Sequence, residues 1–253
     1  MKKFIENMFS LQGKIALITG ASRGIGEAIA MTLAKHGAHC ILVSRKIEAL
    51  EVVVRQITDA GGMAEAMACH TGYADKIAAL FDGIKAKHGR LDILINNAAT
   101  NIYFGPMIDA EESVWNKTLD VNLKGPFFMI QNGARLMKDS GGGTIVNVSS
   151  INAITPMHFQ GIYAITKAGL VSMTKAYAKE LVDDNIRVNA LLPGITATKL
   201  ASVLTEDQEL VNAIPMKRAA QPMEMAGAVL YLVSQASTYT TGSCLVCDGG
   251  FTA

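Results

Sequence analysis

Short apolar runs alternate with longer amphipathic segments along most of the chain. The segments between the runs carry the three-to-four-residue periodicity of helices. Alternation of this kind indicates βαβ units, so we expect an α/β fold: a Rossmann-type, doubly wound parallel sheet of about seven strands with helices on both faces. The strand-like runs are residues 14–19, 40–44, 63–69, 91–95, 144–148, 186–192 and 244–246.

Nothing in the pattern divides the chain of 253 residues. A length of this order is common for one α/β domain, so we predict a single domain over residues 13–253, preceded by a short extension over residues 1–12. Residues 195–218 follow a strand, show the weakest periodicity and contain a Glu-Asp-Gln cluster. They are the candidate for a substrate lid.

Composition narrows the classes of partner. Half of the residues are hydrophobic, 18% are charged and the formal net charge is +1. A balanced charge favours neither nucleic acid nor a membrane surface, and no apolar run reaches the roughly 18 residues that a spanning helix needs. Polar residues interrupt any signal-peptide pattern near the start. We therefore expect a cytoplasmic protein that acts on a small molecule.

The four cysteines predict packing rather than chemistry. Cys244 and Cys247 form a C-x-x-C, but no second pair accompanies them and their spacing falls within a strand pattern. Residues three apart on a strand point to opposite faces. We predict no disulfide framework and no metal site.

A glycine-rich turn follows the first strand and leads into a helix over residues 27–36. Gly20 allows the tight turn, Gly24 removes a side chain where a pyrophosphate approaches, and Gly26 permits close helix packing. The helix N-terminus then offers unpaired N–H groups to phosphate. The predicted binding turn comprises Gly20, Ser22, Arg23, Gly24, Ile25 and Gly26.

The second strand ends at Ser44 and Arg45, where an NAD-binding protein carries an acidic residue for the ribose hydroxyls. With no carboxylate there, Arg45 and Arg23 are placed to bind a 2′-phosphate. This favours NADP(H), with NAD(H) as the alternative. The competing interpretation is that both arginines are solvated surface charges.

Tyr163 and Lys167 lie one turn apart on a predicted helix. An adjacent ammonium and a cationic nicotinamide both favour the phenolate, so we expect the pKa of Tyr163 to fall toward the working range and the residue to act as acid and base. The fifth strand ends at Ser149 and Ser150. Ser150 is the candidate for orienting a carbonyl oxygen, because Ser149 points the opposite way.

Together these residues resemble the short-chain dehydrogenase/reductase family, over almost the whole chain. Further matches are Asn96-Asn97-Ala98, Asp120-Val121-Asn122, Pro193-Gly194 with Thr198, and Asp248-Gly249-Gly250. The resemblance implies catalysis by Asn122, Ser150, Tyr163 and Lys167, with Asn122 supporting a water that relays protons from Lys167. The remaining cofactor residues it implies are Ser44, His70, Asn97, Ala98, Val121, Tyr163, Lys167, Pro193, Gly194, Ile195, Thr196 and Thr198.

The chain departs from the family pattern at two positions. Ala99 stands where the pattern has Gly, and His70 where it has an Asp beside the adenine. We expect little effect from Ala99, while His70 leaves the adenine contact open to a backbone or ring interaction.

Three functions remain open at this stage. The first is NADP(H)-dependent reduction of a ketone or 3-oxoacyl group; the second is oxidation of an alcohol or sugar alcohol; the third is a non-catalytic nucleotide-binding regulatory protein. Residues expected to face the substrate are Ile151, Met157, His158 and Phe159. The resemblance also implies a homotetramer, or else a homodimer, packed through helices over residues 115–138 and 161–182. The alternative is that the apolar residues on those helices form the buried face of a monomer.

Overall fold

The computed structural model describes residues 7–253. Seven parallel strands form one sheet in the order β3-β2-β1-β4-β5-β6-β7. The order reverses direction between β1 and β4, which creates the crevice where α/β proteins bind ligands. The strands are β1 Ile15–Thr19, β2 His39–Ser44, β3 Met63–Ala68, β4 Ile93–Asn96, β5 Gly143–Val148, β6 Ile186–Pro193 and β7 Cys244–Cys247.

Helices connect the strands and cover both faces of the sheet. A π-helical turn, Asp120–Lys124, joins α4 to α5, and short 3₁₀ turns lie in several loops. The α-helices are α1 Gly24–Lys35, α2 Ile47–Asp59, α3 Ala74–His88, α4 Glu112–Leu119, α5 Gly125–Asp139, α6 Gly161–Glu180, α7 Ser202–Glu206, α8 Gln208–Ala213 and α9 Pro222–Val233.

The two faces of the sheet carry separate hydrophobic cores. Along β1, Ala16 and Ile18 pack with α1, α2 and α9, while Leu17 between them packs with α3 and α5. Alternate residues of a strand point to opposite faces, so both faces of these central strands must be apolar. This confirms the predicted fold class.

One buried carboxylate ties β1 to β4 at the amino-terminal edge of the sheet. Asp92 accepts hydrogen bonds from the Ile15 amide at 3.0 Å, from Lys14 Nζ at 3.1 Å and from Arg90 Nε at 3.0 Å. Burial alone would raise the pKa of Asp92, but these hydrogen bonds and the nearby cations hold it below its ordinary value.

The described part of the predicted extension is partly packed. Leu11 is buried in the core beside α1, and its amide donates to the carbonyl of His36 at 2.8 Å. The folded unit thus reaches back into the extension predicted over residues 1–12; residues 1–6 lie outside the described residues. Within residues 7–253, no helix has both the length and the apolarity needed to cross a membrane.

Candidate active site

The turn between β1 and α1 has the conformation that its glycines predict. Gly20 and Gly24 have φ of +66° and +63°, a region that side chains disfavour. A Cβ on Gly26 would overlap the Gly20 carbonyl and the Asn97 side chain. The helix begins at Gly24 rather than at Glu27, because the turn itself enters the helix.

Thr19 and Asn97 hold this turn in place. The Thr19 hydroxyl accepts from the amides of Asn97 at 2.9 Å and Ala98 at 3.0 Å, and donates to the Ile95 carbonyl at 3.1 Å. Asn97 Nδ2 donates to the Thr19 carbonyl at 2.8 Å. Thr19 was not predicted as a site residue, although it directly precedes the glycine turn.

The N-terminus of α1 fits a bound phosphate. Its cap residue Arg23 is extended and makes no side-chain hydrogen bond to the first-turn amides. Those N–H groups therefore stay available to an anion. A Cβ on Gly24 would come within 3.2 Å of Thr198 Cγ2, so the turn lies against the start of the lid segment. Gly20, Ser22, Gly24, Ile25 and Gly26 would hold the pyrophosphate of a dinucleotide.

The predicted adenosine end lies at the carboxyl ends of β2 and β3. Arg23 and Arg45 are exposed, and neither forms a salt bridge within the described residues. The Ser44 hydroxyl donates to the Lys46 carbonyl at 3.1 Å. His70 Nδ1 accepts from the Gly72 amide at 3.1 Å, and the His70 ring lies 4.6 Å from the Tyr73 ring.

Val121 Cγ2 lies against Gly72 on the same side of the site. His70 is thus held as a ring beside Val121, where the family pattern places a carboxylate. The His70 ring or its backbone could contact an adenine base there, which is the interaction that the sequence left open. Ala98 lies just after β4, and Val121 lies within the π-helical turn.

Ser150 and Tyr163 line one pocket. The Ser150 hydroxyl accepts from the Asn152 amide at 3.1 Å and also hydrogen-bonds the Tyr163 side chain, so the two hydroxyls lie close together. Ser149 points away, because its hydroxyl donates to the Lys167 carbonyl at 2.9 Å. The predicted choice of Ser150 over Ser149 therefore agrees with their orientations.

Lys167 is buried beneath Tyr163. Its Nζ donates to the Val148 carbonyl at 2.9 Å and lies 5.4 Å from the centroid of the Tyr163 ring. Burial lowers the pKa of Lys167 to about 7. It raises the pKa of Tyr163 to about 12, although the Ser150 hydroxyl acts in the opposite direction.

In the protein without cofactor, the pKa of Tyr163 is therefore raised; the lowered pKa expected with a cationic nicotinamide beside it stays a prediction. Removal from water penalises the phenolate and the ammonium together, so Lys167 is only partly charged near neutral pH and does not offset the burial of Tyr163. A bound cation beside Tyr163 would lower the pKa of this residue.

Asn122 is fully buried in the π-helical turn. Its Oδ1 accepts from the Thr100 amide at 2.8 Å, and its Nδ2 donates to the Thr100 carbonyl at 2.8 Å and to the Thr166 hydroxyl at 3.3 Å. The side chain thus fixes the loop after β4 against α6. A π-helical turn often marks a functional position, and here it turns Asn122 inward.

Apolar and amide side chains share the pocket around Ser150 and Tyr163. Ile151 and Met157 line it as predicted, whereas His158 and Phe159 stack on each other outside its lining. The sequence did not identify several other lining residues, which come from loops far apart in the chain. These are Asn101, Asn152, Gln160, Leu200, Ala201 and Leu204.

The loop after β6 borders the same pocket. Gly194 and Ile195 line it beside Tyr163, and they follow Pro193 at the end of β6. The Thr196 hydroxyl donates to the Gly194 carbonyl at 3.1 Å. Leu200 and Leu204 show that the predicted lid segment contributes directly to the pocket wall.

Comparisons with known proteins agree with this geometry. The family model described as Enoyl-(Acyl carrier protein) reductase matches residues 20–252. Dehydrogenase/reductase SDR family member 4 of Bos taurus is 40% identical over 244 residues, covering 95% of this chain and 88% of the relative. The 3-oxoacyl-[acyl-carrier-protein] reductase FabG of Thermotoga maritima is 36% identical over 242 residues, covering 95% and 98%.

Solved structures show the same fold. A short-chain type dehydrogenase/reductase from Mycobacterium marinum superposes with a TM-score of 0.94 at 37% identity, covering 98% of this chain and 99% of that one. A gluconate 5-dehydrogenase from Burkholderia cenocepacia, in complex with NADP and tartrate, has a TM-score of 0.93 at 32% identity, covering 97% and 98%. An L-sorbose reductase from Gluconobacter frateurii, complexed with NADPH and L-sorbose, has a TM-score of 0.92 at 33% identity, covering 97% of this chain and 98% of that one.

The fold and the paired Ser150 and Tyr163 define a nicotinamide-dependent oxidoreductase of Rossmann type. The chain belongs to the short-chain dehydrogenase/reductase family. Membership of this family confirms the predicted class of cofactor, a nicotinamide dinucleotide.

Proposed function

We propose that the protein is an NADP(H)-dependent reductase of a ketone or 3-oxoacyl group. The observation that carries this proposal is that Ser150 and Tyr163 line the same pocket, with Lys167 buried behind the tyrosine. A carbonyl oxygen placed between the two hydroxyls would accept a hydrogen bond from each. When bound, the nicotinamide supplies or takes up the hydride.

The protein's residues supply orientation and the proton. Ser150, fixed by the Asn152 amide, holds the carbonyl oxygen. The high pKa of Tyr163 keeps the phenol protonated and ready to donate to the alkoxide that forms in reduction. We further propose that Lys167 binds the ribose and passes protons through a water supported by Asn122.

Preference for NADP(H) rests on charge at the end of β2. Arg45 and Arg23 are exposed cations without salt bridges in the described residues, and no carboxylate follows the strand. Guanidinium groups bind phosphate through paired hydrogen bonds. Two similar enzymes, the gluconate 5-dehydrogenase and the L-sorbose reductase, contain NADP or NADPH in their structures.

A second candidate is oxidation of a sugar alcohol or reduction of the matching hydroxylated ketone. Three amides, Asn101, Asn152 and Gln160, line the pocket, and Asn101 Nδ2 donates to Gln160 Oε1 at 3.1 Å. Amide groups pair with hydroxyls, whereas an acyl chain needs an apolar wall such as Leu200 and Leu204 provide. Both substrate classes therefore have a structural basis.

The direct test is absorbance of the reduced nicotinamide in purified protein mixed with simple ketones, 3-oxoacyl thioesters and ketoses, each with NADPH and with NADH. We expect turnover that favours NADPH. Turnover only with NADH would contradict the role of Arg23 and Arg45 but leave Tyr163 in place. If the protein binds NADPH yet acts on none of these substrates or the matching alcohols, the non-catalytic alternative gains support.

We also propose that the chain assembles as a homotetramer through α4, α5 and α6. Large apolar side chains are exposed on these helices, including Trp115, Phe127 and Ile165. Exposed apolar groups that cluster on neighbouring helices are typical of subunit interfaces. The cytoplasmic location expected from the sequence stays a prediction.

A further inference from the structure

Three side chains from different elements meet at the other end of the sheet from Ser150 and Tyr163. His39 is the first residue of β2, Glu65 lies within β3, and His88 is the last residue of α3. The carboxyl ends of the strands hold the catalytic pocket, so this cluster lies away from it. Each of the three side chains is mostly buried, with 28%, 17% and 11% of its surface exposed in that order.

The cluster has the spacing of a metal site. His39 Nε2 lies 3.4 Å from Glu65 Oε1, and His88 Nε2 hydrogen-bonds the same carboxylate oxygen. All three ligand atoms lie within 4.8 Å of one another. Tetrahedral zinc, with bonds of about 2.0–2.2 Å, requires neighbouring ligand atoms about 3.3–3.6 Å apart, so side-chain movements that separate His88 from Glu65 would complete the geometry.

An unpartnered atom distinguishes this cluster from a closed hydrogen-bond network. His39 Nε2 is buried, and its 3.4 Å approach to Glu65 Oε1 does not meet hydrogen-bond geometry. A buried polar atom without a partner costs free energy that a bound ligand would recover. His39 Nε2 also faces the one carboxylate oxygen, Glu65 Oε1, that His88 already uses.

The surrounding charges are compatible with a bound cation. Lys87 pairs with the other oxygen, Glu65 Oε2, and therefore orients the carboxylate while leaving Oε1 for the ion. Lys87 is more than half exposed, so its ammonium can move toward water. The negative end of the α3 dipole lies at His88 and favours positive charge.

We propose that His39, Glu65 and His88 bind one Zn²⁺ ion, with water as the fourth ligand. Two imidazole nitrogens and one carboxylate oxygen form a known zinc ligand set. The ion would tie the edge strand β3 to β2 and to the end of α3. Its role is structural, because the ligands lie at the end of the sheet remote from the catalytic residues.

The test uses the full chain, treated with a chelator and desalted, and then titrated with ZnSO₄ by calorimetry. We expect one Zn²⁺ per chain and a rise in Tm. His39→Gln, Glu65→Gln and His88→Gln should each weaken binding by at least about 100-fold, since even changes to supporting residues around a metal cost 10–100-fold. His158→Gln, at the opposite end of the sheet, is the matched control and should bind as the wild type does.

Co²⁺ identifies the ligands independently of these variants. We expect ligand-field bands of a four-coordinate nitrogen and oxygen site, without a thiolate charge-transfer band. A thiolate band would place the metal on a cysteine and overturn the proposal. It would also be overturned if the three variants, folded as judged by NADPH binding and circular dichroism, kept wild-type Zn²⁺ affinity, or if the wild type bound no zinc.

Discussion

Two ionisable side chains, Tyr163 and Lys167, lie close together at the catalytic centre. Lys167 is buried and Tyr163, which lines the pocket, is partly buried; their withdrawal from water shifts the two pKa values in opposite directions, to about 7 and about 12. Both shifts favour the neutral form. Before ligands bind, the pair thus holds a protonated phenol beside an amine that titrates near neutral pH.

The lowered pKa of Lys167 predicts a pH-dependent stability. Between pH 7 and about 10 the unfolded chain keeps a proton on this amine that the folded chain has lost, so the free energy of unfolding rises with pH, by up to about 1.4 kcal/mol per unit. We expect the free energy of unfolding of the wild type, minus that of Lys167→Met, to rise with pH over the same range. Denaturant titrations at pH 7, 8 and 9 measure it.

Lys175→Met is the control for this series, because Lys175 is exposed on the same helix. Its stability should run parallel to that of the wild type across the pH range. Parallel curves for Lys167→Met as well would show that Lys167 stays protonated in the folded protein.

Removing the Tyr163 hydroxyl should separate chemistry from binding. We expect Tyr163→Phe to lower kcat by at least about 100-fold, the usual contribution of a general acid, while the Kd for NADPH changes by no more than about twofold. Tyr177→Phe, on the same helix but outside the pocket, should retain activity. Unchanged kcat in Tyr163→Phe would refute the role of this residue.

Two glycines in helices provide a matched pair for the phosphate turn. A Cβ on Gly26 would overlap the Gly20 carbonyl, whereas a Cβ on Gly227 meets no heavy atom within 4 Å. We expect Gly26→Ala to destabilise the fold by about 1–3 kcal/mol and to weaken NADPH binding. Gly227→Ala should be neutral or stabilise it by up to about 1 kcal/mol. Thermal unfolding and NADPH fluorescence titration distinguish these effects.

At the scale of elements, Asp92 joins two strands that are distant in sequence. Asp92→Ala removes the acceptor of the Ile15 amide and should cost about 1–3 kcal/mol at neutral pH. Because the pKa of Asp92 is lowered, its contribution is present above the ordinary carboxyl range and is lost only as pH falls through the folded pKa. Chemical denaturation at pH 7 and in acid measures both.

An exposed ion pair supplies the comparison for Asp92. Asp139 pairs with Lys85 at 3.8 Å, and both side chains are largely exposed. Asp139→Ala should change stability by less than about 0.5 kcal/mol, since solvent screens such pairs. Equal losses for Asp92→Ala and Asp139→Ala would mean that the buried hydrogen bonds contribute little.

Local pattern predicted most elements, because strands with two buried faces read as apolar runs. Boundaries moved slightly: β4 begins at Ile93 because Leu91 and Asp92 precede its pairing. The π-helical turn at Asp120–Lys124 has no signal in hydrophobic periodicity. Such a turn depends on contacts made by Asn122 with Thr100 and Thr166, which only the folded chain brings together.

In the site too, pairs within one helix could be predicted from the sequence, whereas pairs that join separate loops could not. The spacing of Tyr163 and Lys167 is a property of one helix, so it was predictable. Asn101 and Gln160 meet through the folding of two separate loops, and their pairing has no local signal. The raised pKa of Tyr163 in the cofactor-free protein could not be predicted, because proximity of charge is visible in a sequence, whereas the extent of burial is not.

At the scale of the whole molecule, the proposed tetramer should depend on the apolar surface of α5 and α6. Phe127 and Tyr177 pack with ring centroids 6.0 Å apart, which joins α5 and α6 into one surface with an exposed apolar edge. We expect Phe127→Glu to reduce the sedimentation coefficient from that of a tetramer to that of a smaller species. Wild type that sediments as a monomer would contradict the proposed assembly.

The two ends of the predicted lid segment are hydrogen-bonded to each other. Thr196 and Ala220 form a parallel β-bridge, the Ala197 amide donates to the Ala220 carbonyl at 2.8 Å, and the Ala220 amide donates to the Ile195 carbonyl at 2.9 Å. Residues 198–219, which contain α7 and α8, therefore form a segment whose two ends are fixed to each other. Exchanging this segment with that of a relative, while keeping the hydrogen bond from the Met216 amide to the Gly249 carbonyl, offers a way to change the substrate without altering the sheet or the proton donor.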